Sequence, residues 1–255
     1  MDTQYGDPVQ YQLRLGEETV DMNALIGKEI HLHYEGEINC RVCGRKTNKA
    51  FGEGFCYQHF MESPENSPCI LRPELCEGHL GKGRDLAWEL ANHVQPHIVY
   101  LALSGGIKVG ITRLTQVPTR WIDQGAWKAI QLAETPNRFL AGSIEVALKE
   151  YVGDKTSWQA MLKDSRSPED LETEKYRLAD NLPSDLSMYV TENDAITEIR
   201  YPVETYPDKV KSVGFDKEAD VRGVLTGIRG QYLIFGDNRV LNLRSHTGYK
   251  VRLEA

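Results

Sequence analysis

Residues 98–151 constrain the fold most, because strand and helix patterns follow one another there with short connections. Residues 98–103 form an apolar run that ends in a Ser-Gly-Gly turn at 104–106, and residues 107–112 alternate as a second strand. Pro118 then marks the start of a helix pattern. The segment therefore begins as a β-hairpin that is followed by a helix.

The second half of this segment adds another strand and another helix. Residues 130–133 can form a third strand, and residues 138–151 carry apolar side chains at a helical spacing. We therefore expect an α+β core over residues 96–163. Trp121 is expected to anchor the first helix on the sheet, which would leave Arg120 facing a cleft.

Four residues placed along these elements resemble the GIY-YIG superfamily. Tyr100 stands at the tyrosine of the first motif half, and Lys108 stands in the second half, where the family usually has the tyrosine of Tyr-Ile-Gly. Arg120 falls in the first helix, where the family keeps an arginine. Glu145 falls in the second helix, where the family keeps a metal-binding glutamate.

This resemblance implies a metal-dependent nuclease, or a degenerate relative of one, that acts on DNA or RNA. It implies that Glu145 holds one divalent ion, and Mg²⁺ suits carboxylate and water oxygens. It also implies that Arg120 contacts the phosphate and that Tyr100 orients or deprotonates the attacking water. Lys108 departs from the family, and a lysine is a cation unless burial lowers its pKa. Phosphate binding therefore survives this departure better than cleavage does.

Cysteines and one histidine upstream follow the pattern C-x2-C-x12-C-x2-H. The residues are Cys40, Cys43, Cys56 and His59, and Gly44 follows the first pair. Four soft ligands at this spacing suit tetrahedral Zn²⁺. Buried free thiols are the alternative, and a disulfide fits a cytoplasmic protein less well. The segment is expected to be zinc-ribbon-like.

A second group offers three soft ligands locally, in Cys69, Cys76 and His79. Either His93 or His97 can supply a fourth ligand, which makes a second zinc ion the expectation. The alternative is a single buried cysteine beside a polar loop. His97 directly precedes the strand of the central core, so such a site would be joined to that core.

His31 and His33 lie on one face of a predicted strand near the N-terminus. A histidine pair of this kind is more often a surface or core feature than a metal site. The sequence therefore leaves both readings open.

The expected fold is α+β, with a zinc-ribbon-like segment, a GIY-YIG-like βαβα core and a small β-barrel or sandwich built from both ends of the chain. Short strands separated by Gly and Asn turns dominate the C-terminal part. The expected units are 1–37 for N-terminal strands that pack with the C-terminal unit, 38–95 for the zinc segment, 96–163 for the core, 164–194 for a linker or surface helix, and 195–255 for the C-terminal β unit.

The whole chain also resembles an uncharacterised bacterial family in which a Cys-rich segment precedes a KVGIT…RWIDQGA core. A net charge of −7 argues against broad coating by nucleic acid, but it leaves room for a local phosphate-contacting face. The sequence shows neither a membrane span nor a secretory signal, so we expect a cytoplasmic protein without a membrane partner. The alternative functions are a non-catalytic module that binds nucleic acid or protein, and a structural adaptor.

Overall fold

The computed structural model describes residues 1–152 and 157–255. The strands, in chain order, are β1 (Asp2–Gln4), β2 (Gln10–Leu15), β3 (Glu18–Asp21), β4 (Glu29–Asn39), β5 (Lys46–Thr47), β6 (His97–Leu103), β7 (Ile107–Arg113), β8 (Lys128–Thr135), β9 (Ile196–Glu198), β10 (Lys211–Val213), β11 (Asp220–Arg229), β12 (Tyr232–Phe235), β13 (Arg239–Asn242) and β14 (Tyr249–Glu254). The α-helices are α1 (Tyr57–Glu62), α2 (Pro68–Leu71), α3 (Leu86–Asn92), α4 (Thr119–Asp123), α5 (Arg138–Leu148), α6 (Trp158–Leu162), α7 (Leu171–Ala179) and α8 (Ser184–Ser187). Part of the expected core, residues 153–156, lies outside the described residues.

The central sheet has the strand order β7-β6-β8-β9, and all its neighbours run antiparallel. β6 lies in the interior of this sheet and is buried along its whole length. The hairpin from β6 to β7 turns through Gly105 and Gly106, whose φ angles are +108° and +151°. Glycine adopts these angles without the steric penalty of a Cβ atom, which explains the Ser-Gly-Gly signal.

The two faces of β6 belong to two different cores, because its side chains alternate. One face packs against α5, α7 and α8, and its members include Val99, Leu101, Leu103, Ile144 and Leu178. The other face meets α4 and the terminal strands, and its members include Ile98, Tyr100, Ala102, Trp121 and Val221. The central sheet is therefore covered on both sides.

A larger sheet combines strands from both ends of the chain in the order β10-β13-β12-β11-β4-β14. β4 lies between β11 and β14 and is antiparallel to both. Ile30 and Leu32 of β4 point inward and are buried, while His31 and His33 point outward. This sheet curls into a half-barrel over the shared core. The predicted α+β class is thus confirmed at the level of several sheets with covering helices.

The segment 164–194 differs from the surface helix or linker that its polar composition predicts. Leu171 and Leu178 of α7 are buried against the central sheet. Lys175, between them, is fully buried and donates to Oδ1 of Asp194 at 2.7 Å. Two leucines two turns apart are enough to dock the helix, although most of its other residues are polar.

The location of β9 also differs from the prediction, which assigned residues 195–203 to the C-terminal unit. It pairs with β8 at the edge of the central sheet instead. Within the described residues, none of the helices combines the length and the apolar character that crossing a membrane requires.

Candidate functional site

The first cluster brings together the four residues of the C-x2-C-x12-C-x2-H pattern. The ligand atoms of Cys40, Cys43, Cys56 and His59 lie within 4.8 Å of one another. Nδ1 of His59 is 3.4 Å from Sγ of Cys40 and 3.4 Å from Sγ of Cys56. Sulfur and nitrogen ligands of one tetrahedral zinc ion stand about 3.5 Å apart, given bonds of about 2.3 and 2.0 Å. The spacing is therefore suited to holding a metal ion.

Local backbone structure accounts for this convergence. The carbonyl of Cys40, directly after β4, accepts a hydrogen bond from the N–H of Gly44 at 2.8 Å, and Gly44 has a φ of +67°. Cys56 is the N-cap of α1, so His59 follows within the first turn. Burial opposes ionisation of Cys40, but neighbouring backbone N–H groups lower its pKa to about 6. The thiolate, which is the form that binds metal, is thereby favoured.

The second cluster consists of Cys69, Cys76, Glu89 and His93, whose ligand atoms also lie within 4.8 Å of one another. All four residues are buried. A hydrogen bond from Cys69 lowers the pKa of Cys76 to about 4. Glu89 in α3 and His93 at its C-cap are four residues apart, and their side chains contact each other. The cluster thus offers two sulfurs, one imidazole and one carboxylate.

His79 and His97, which the sequence analysis counted as ligands, lie outside this cluster. The short helical turn Gly78–Leu80 carries His79 onto Phe139 of α5, and the two ring centroids are 4.7 Å apart. His97 is fully buried at the start of β6, with its Nδ1 atom 2.8 Å from the carbonyl of Gln95. Burial lowers the pKa of His97 to about 4. His93 and Glu89 complete the cluster instead.

Arg138 joins the second cluster to the central sheet. From the first turn of α5, its Nε donates to the carbonyl of Cys69 and its Nη2 donates to the carbonyl of Ile70, both at 3.0 Å. Gly142 lies one turn later and permits a close contact, since a Cβ atom there would lie 2.5 Å from the carbonyl carbon of Pro73. The loop of the second cluster therefore packs directly on the helix that carries Glu145.

Tyr100 is fully buried on β6, and its side chain lies over β7. Its hydroxyl donates to Oε1 of Gln124 at 2.9 Å. Its partner in the sheet is Gly110, where a Cβ atom would lie 2.6 Å from the hydroxyl oxygen. Trp121 packs edge-on, with ring centroids 5.9 Å apart. Burial raises the pKa of Tyr100 to about 12, although the positive charge of Arg120 opposes the rise. The phenol is therefore neutral at neutral pH.

Lys108 and Arg120 are two half-buried cations beside Tyr100. Burial, with repulsion from Arg120 as the next cause, lowers the pKa of Lys108 to about 8. Across residues 1–152 and 157–255, no carboxylate lies within 4.0 Å of either cation. Two neighbouring cations without a carboxylate partner can accept an anion, which would form charge-assisted hydrogen bonds with them.

Glu145 is a half-buried carboxylate on α5. Burial raises its pKa, while Lys149, Arg138 and Lys108 oppose the rise. Its charge also acts on Tyr100 and on Lys108. Arg120 and Glu145 are thus close enough to Tyr100 and to Lys108 to act on both electrostatically.

Asp123 does not pair with Arg120, although the two residues are three apart on α4. Oδ2 of Asp123 accepts from Nη2 of Arg244 at 2.7 Å, and its Oδ1 accepts from Nε2 of Gln231 at 2.8 Å. Both donors come from the C-terminal part of the chain. Asp123 therefore ties α4 to the curled sheet.

A cleft of about 240 Å³ opens where the central sheet meets the curled sheet. Lys108 and Gln124 line one side, and Gln231, Tyr232 and Arg244 line the other. Since Gln124 is hydrogen-bonded to Tyr100, the cleft leads to the buried phenol. Asp123 also lines the cleft and is paired with Arg244, so the cation that the lining offers to a small anionic group is Lys108, which has no carboxylate partner among the described residues.

Sequence reasoning assigned no role to Glu89, Gln124 or Arg244. Only Glu89 has a local signal, because its four-residue spacing to His93 puts both side chains on one helix face. Gln124 and Arg244 reach the cleft through contacts that form only when the sheets assemble.

Comparison with known proteins identifies a family but not an activity. No match was found among curated proteins or among solved structures. Residues 27–251 match the family described as "Protein of unknown function (DUF2797)". The matched span includes both cysteine clusters and the four residues around Tyr100. The chain therefore belongs to the DUF2797 family.

Proposed function

We propose that this protein binds nucleic-acid phosphodiesters beside Tyr100 and cleaves them with the help of a divalent metal ion. The observation that carries the proposal is the pair of half-buried cations, Lys108 and Arg120, which lack a carboxylate partner among the described residues. Burial lowers the pKa of Lys108, and repulsion from Arg120 adds to the effect. A phosphate group between them would relieve that repulsion and form charge-assisted hydrogen bonds.

Glu145 is the proposed ligand for the divalent ion. Burial raises its pKa, so the buried carboxylate gains from a nearby cation. A bound Mg²⁺ would stabilise charge on the scissile phosphate and on the leaving oxygen. Arg120 holds the phosphate as a planar donor, and Lys108 adds a second positive charge. Tyr100 is fully buried and donates to Gln124, so it would act on the attacking water through Gln124, which lines the cleft.

The two cysteine clusters are the proposed binding sites of structural Zn²⁺. The first supplies three sulfurs and one imidazole, and the second supplies two sulfurs, one imidazole and one carboxylate. All of these donors occur in tetrahedral zinc sites, and four protein ligands leave no open position for substrate. The zinc ions therefore support the fold, while the phosphodiester site has its own ion.

A cleavage assay with purified protein tests the proposal. Labelled single- and double-stranded DNA and RNA are incubated with Mg²⁺ or Mn²⁺ at low salt. Glu145→Gln should abolish cleavage and retain binding, because the amide is a poor ligand for a hard cation. Glu172→Gln, which removes an exposed carboxylate on α7, is the matched control and should leave cleavage unchanged.

A binding assay with the same probes distinguishes a nuclease from a non-catalytic binding module. The lysine at position 108, in place of the family's tyrosine, favours the binding module. Under the proposal, Lys108→Gln and Arg120→Gln should both weaken binding, and affinity should fall as salt rises. Lys211→Gln, at an exposed position of β10, should have little effect. Binding by the wild-type protein without any cleavage would establish the module instead. Absence of both would remove nucleic acid as the partner.

A further inference from the structure

The outward face of the curled sheet carries side chains that the proposed function does not use. His31 and His33 are two residues apart on β4, so both point away from the buried Ile30 and Leu32. Asp220 of β11 stands directly opposite His33. Nε2 of His31 is 2.7 Å from Oδ1 of Asp220, and Nδ1 of His33 is 2.8 Å from the same oxygen. Three donor atoms thus converge on one point.

We propose that His31, His33 and Asp220 bind a borderline divalent transition-metal ion, the class that includes Zn²⁺ and Ni²⁺. Their ligand atoms all lie within 4.8 Å of one another. Imidazole nitrogens suit ions of this class, and a carboxylate adds negative charge. Three protein ligands leave at least one coordination position for water or a further ligand. The histidine side chains are 28% and 35% exposed, so the ion can reach them from solvent.

The hydrogen-bond partners of His31 favour a bound ion. Its Nε2 faces Asp220, while its Nδ1 is 3.4 Å from Oε2 of Glu254. A neutral imidazole has one N–H group, so it can donate to only one of these two carboxylates. With a metal ion on Nε2, the proton resides on Nδ1 and points to Glu254. Metal-bound histidines commonly donate to a carboxylate in this way.

Neighbouring charges leave the carboxylate of Asp220 available. Arg222, opposite His31 in the sheet, is 2.9 Å from Glu29 and is paired with it. Arg252, opposite His33 on the other side, is 3.7 Å from Glu35. Neutral rings in which His31 and His33 each donate to Asp220 also meet the two short distances without an ion. The alternative that gives both carboxylates a partner is a doubly protonated His31 bridging Asp220 and Glu254. That alternative binds a proton in place of the metal ion, and the experiment must separate it from the metal site.

Calorimetric titration of the zinc-loaded protein with Ni²⁺ at neutral pH tests the site. The wild-type chain should bind one Ni²⁺. His33→Gln and Asp220→Asn should each weaken this binding by at least about tenfold, which is the lower end of the loss caused by substituting even outer-shell partners. Glu37→Gln removes the same charge as Asp220→Asn from the same strand as the histidines, and it should leave the affinity unchanged, because the partner of Glu37 is Lys46 of β5 and not a residue opposite the histidines. Unaltered Ni²⁺ binding in both site variants would overturn the proposal.

Nitrogen NMR of the histidine rings gives a second readout that does not depend on the variants. Ni²⁺ should broaden the signals of His31 and His33 first and leave those of the buried His97 intact. In the metal-free protein, the alternative requires protons on both ring nitrogens of His31 at neutral pH. That protonation state, together with equal broadening of all histidine signals, would also contradict the metal site.

Discussion

Two adjacent residues of α4 have different environments, which gives one a structural role and leaves the other for the proposed binding site. Trp121 is 4% exposed and packs edge-on against Tyr100 in the shared core. Arg120 is half-buried and has no carboxylate partner among the described residues. The sequence predicts this division, because a tryptophan in a helix that follows a strand needs a sheet to cover it. The same reasoning cannot place Gln124, whose bond to Tyr100 depends on how α4 packs.

Lys108 gives a prediction about stability as a function of pH. Its pKa is lowered from the ordinary 10.5 to about 8 by burial and by Arg120. Below pH 8 the lysine is charged in both the folded and unfolded states, so the folded protein bears the full cost of burying the charge. That cost falls as pH rises from 8 to 10.5, because the unfolded state then holds more protons, and it is gone above this range.

Lys108→Gln should therefore raise the free energy of unfolding at pH 7 by about 3 kcal/mol, since one unit of pKa corresponds to about 1.4 kcal/mol. The gain over wild type should shrink as pH rises through the range from 8 to 10.5. Urea unfolding of both proteins at several pH values measures this difference. Lys211→Gln, at an exposed position, should show no such trend. A gain that is independent of pH would mean that packing, and not charge burial, sets the effect.

At the scale of elements, the central sheet illustrates what a sequence can and cannot predict. Strands β6 to β8 and helix α5 follow from local hydrophobic patterns and the Ser-Gly-Gly turn, and the structure has them in the predicted order. The burial of α7 depends on two leucines that contact the sheet from a distance in sequence. The second cluster shows what sequence spacing cannot predict. Cys76 and His79 have the spacing of a ligand pair, but Glu89 and His93 complete the cluster in the structure.

The contact between α5 and the second cluster predicts that replacing Gly142 by alanine lowers stability, although helix propensity alone would predict a gain. An alanine inside a helix is ordinarily more stable than a glycine by about 1 kcal/mol. At Gly142, however, a Cβ atom would lie 2.5 Å from the carbonyl carbon of Pro73 and 2.8 Å from its Cβ. Helix α5 would have to move away from the loop. Gly142→Ala should therefore destabilise the protein by about 1–3 kcal/mol, the usual cost of overpacking.

Thermal unfolding of Gly142→Ala and of Ser143→Ala makes the comparison direct. Ser143 is the next residue of the same helix and its hydroxyl donates to the carbonyl of Phe139, so its replacement should change stability little. A higher melting temperature for Gly142→Ala than for wild type would show that α5 and the loop are not in close contact.

At the scale of the whole molecule, the two cysteine clusters occupy different places in the architecture. The first lies at the end of β4, where Cys40 and Gly44 close a turn near the last strand. The second packs on α5 through Arg138, which donates to the carbonyls of Cys69 and Ile70. Loss of the proposed zinc ion should therefore have a local effect at the first cluster and a wider effect at the second.

Hydrogen exchange of Cys43→Ser and Cys76→Ser tests this difference. Structural zinc contributes about 10–16 kcal/mol of apparent binding energy to small sites, so removing one ligand should expose the coupled backbone. In Cys76→Ser, amide protection should fall in α5 and in the central strands that it covers, because Arg138 loses its fixed acceptors. In Cys43→Ser, the loss should be confined to residues 40–62, and α5 should remain protected. An equal loss of amide protection in both variants would contradict this prediction. It would mean that the chain unfolds as one unit whichever cluster is altered, and that α5 does not depend on the second cluster in particular.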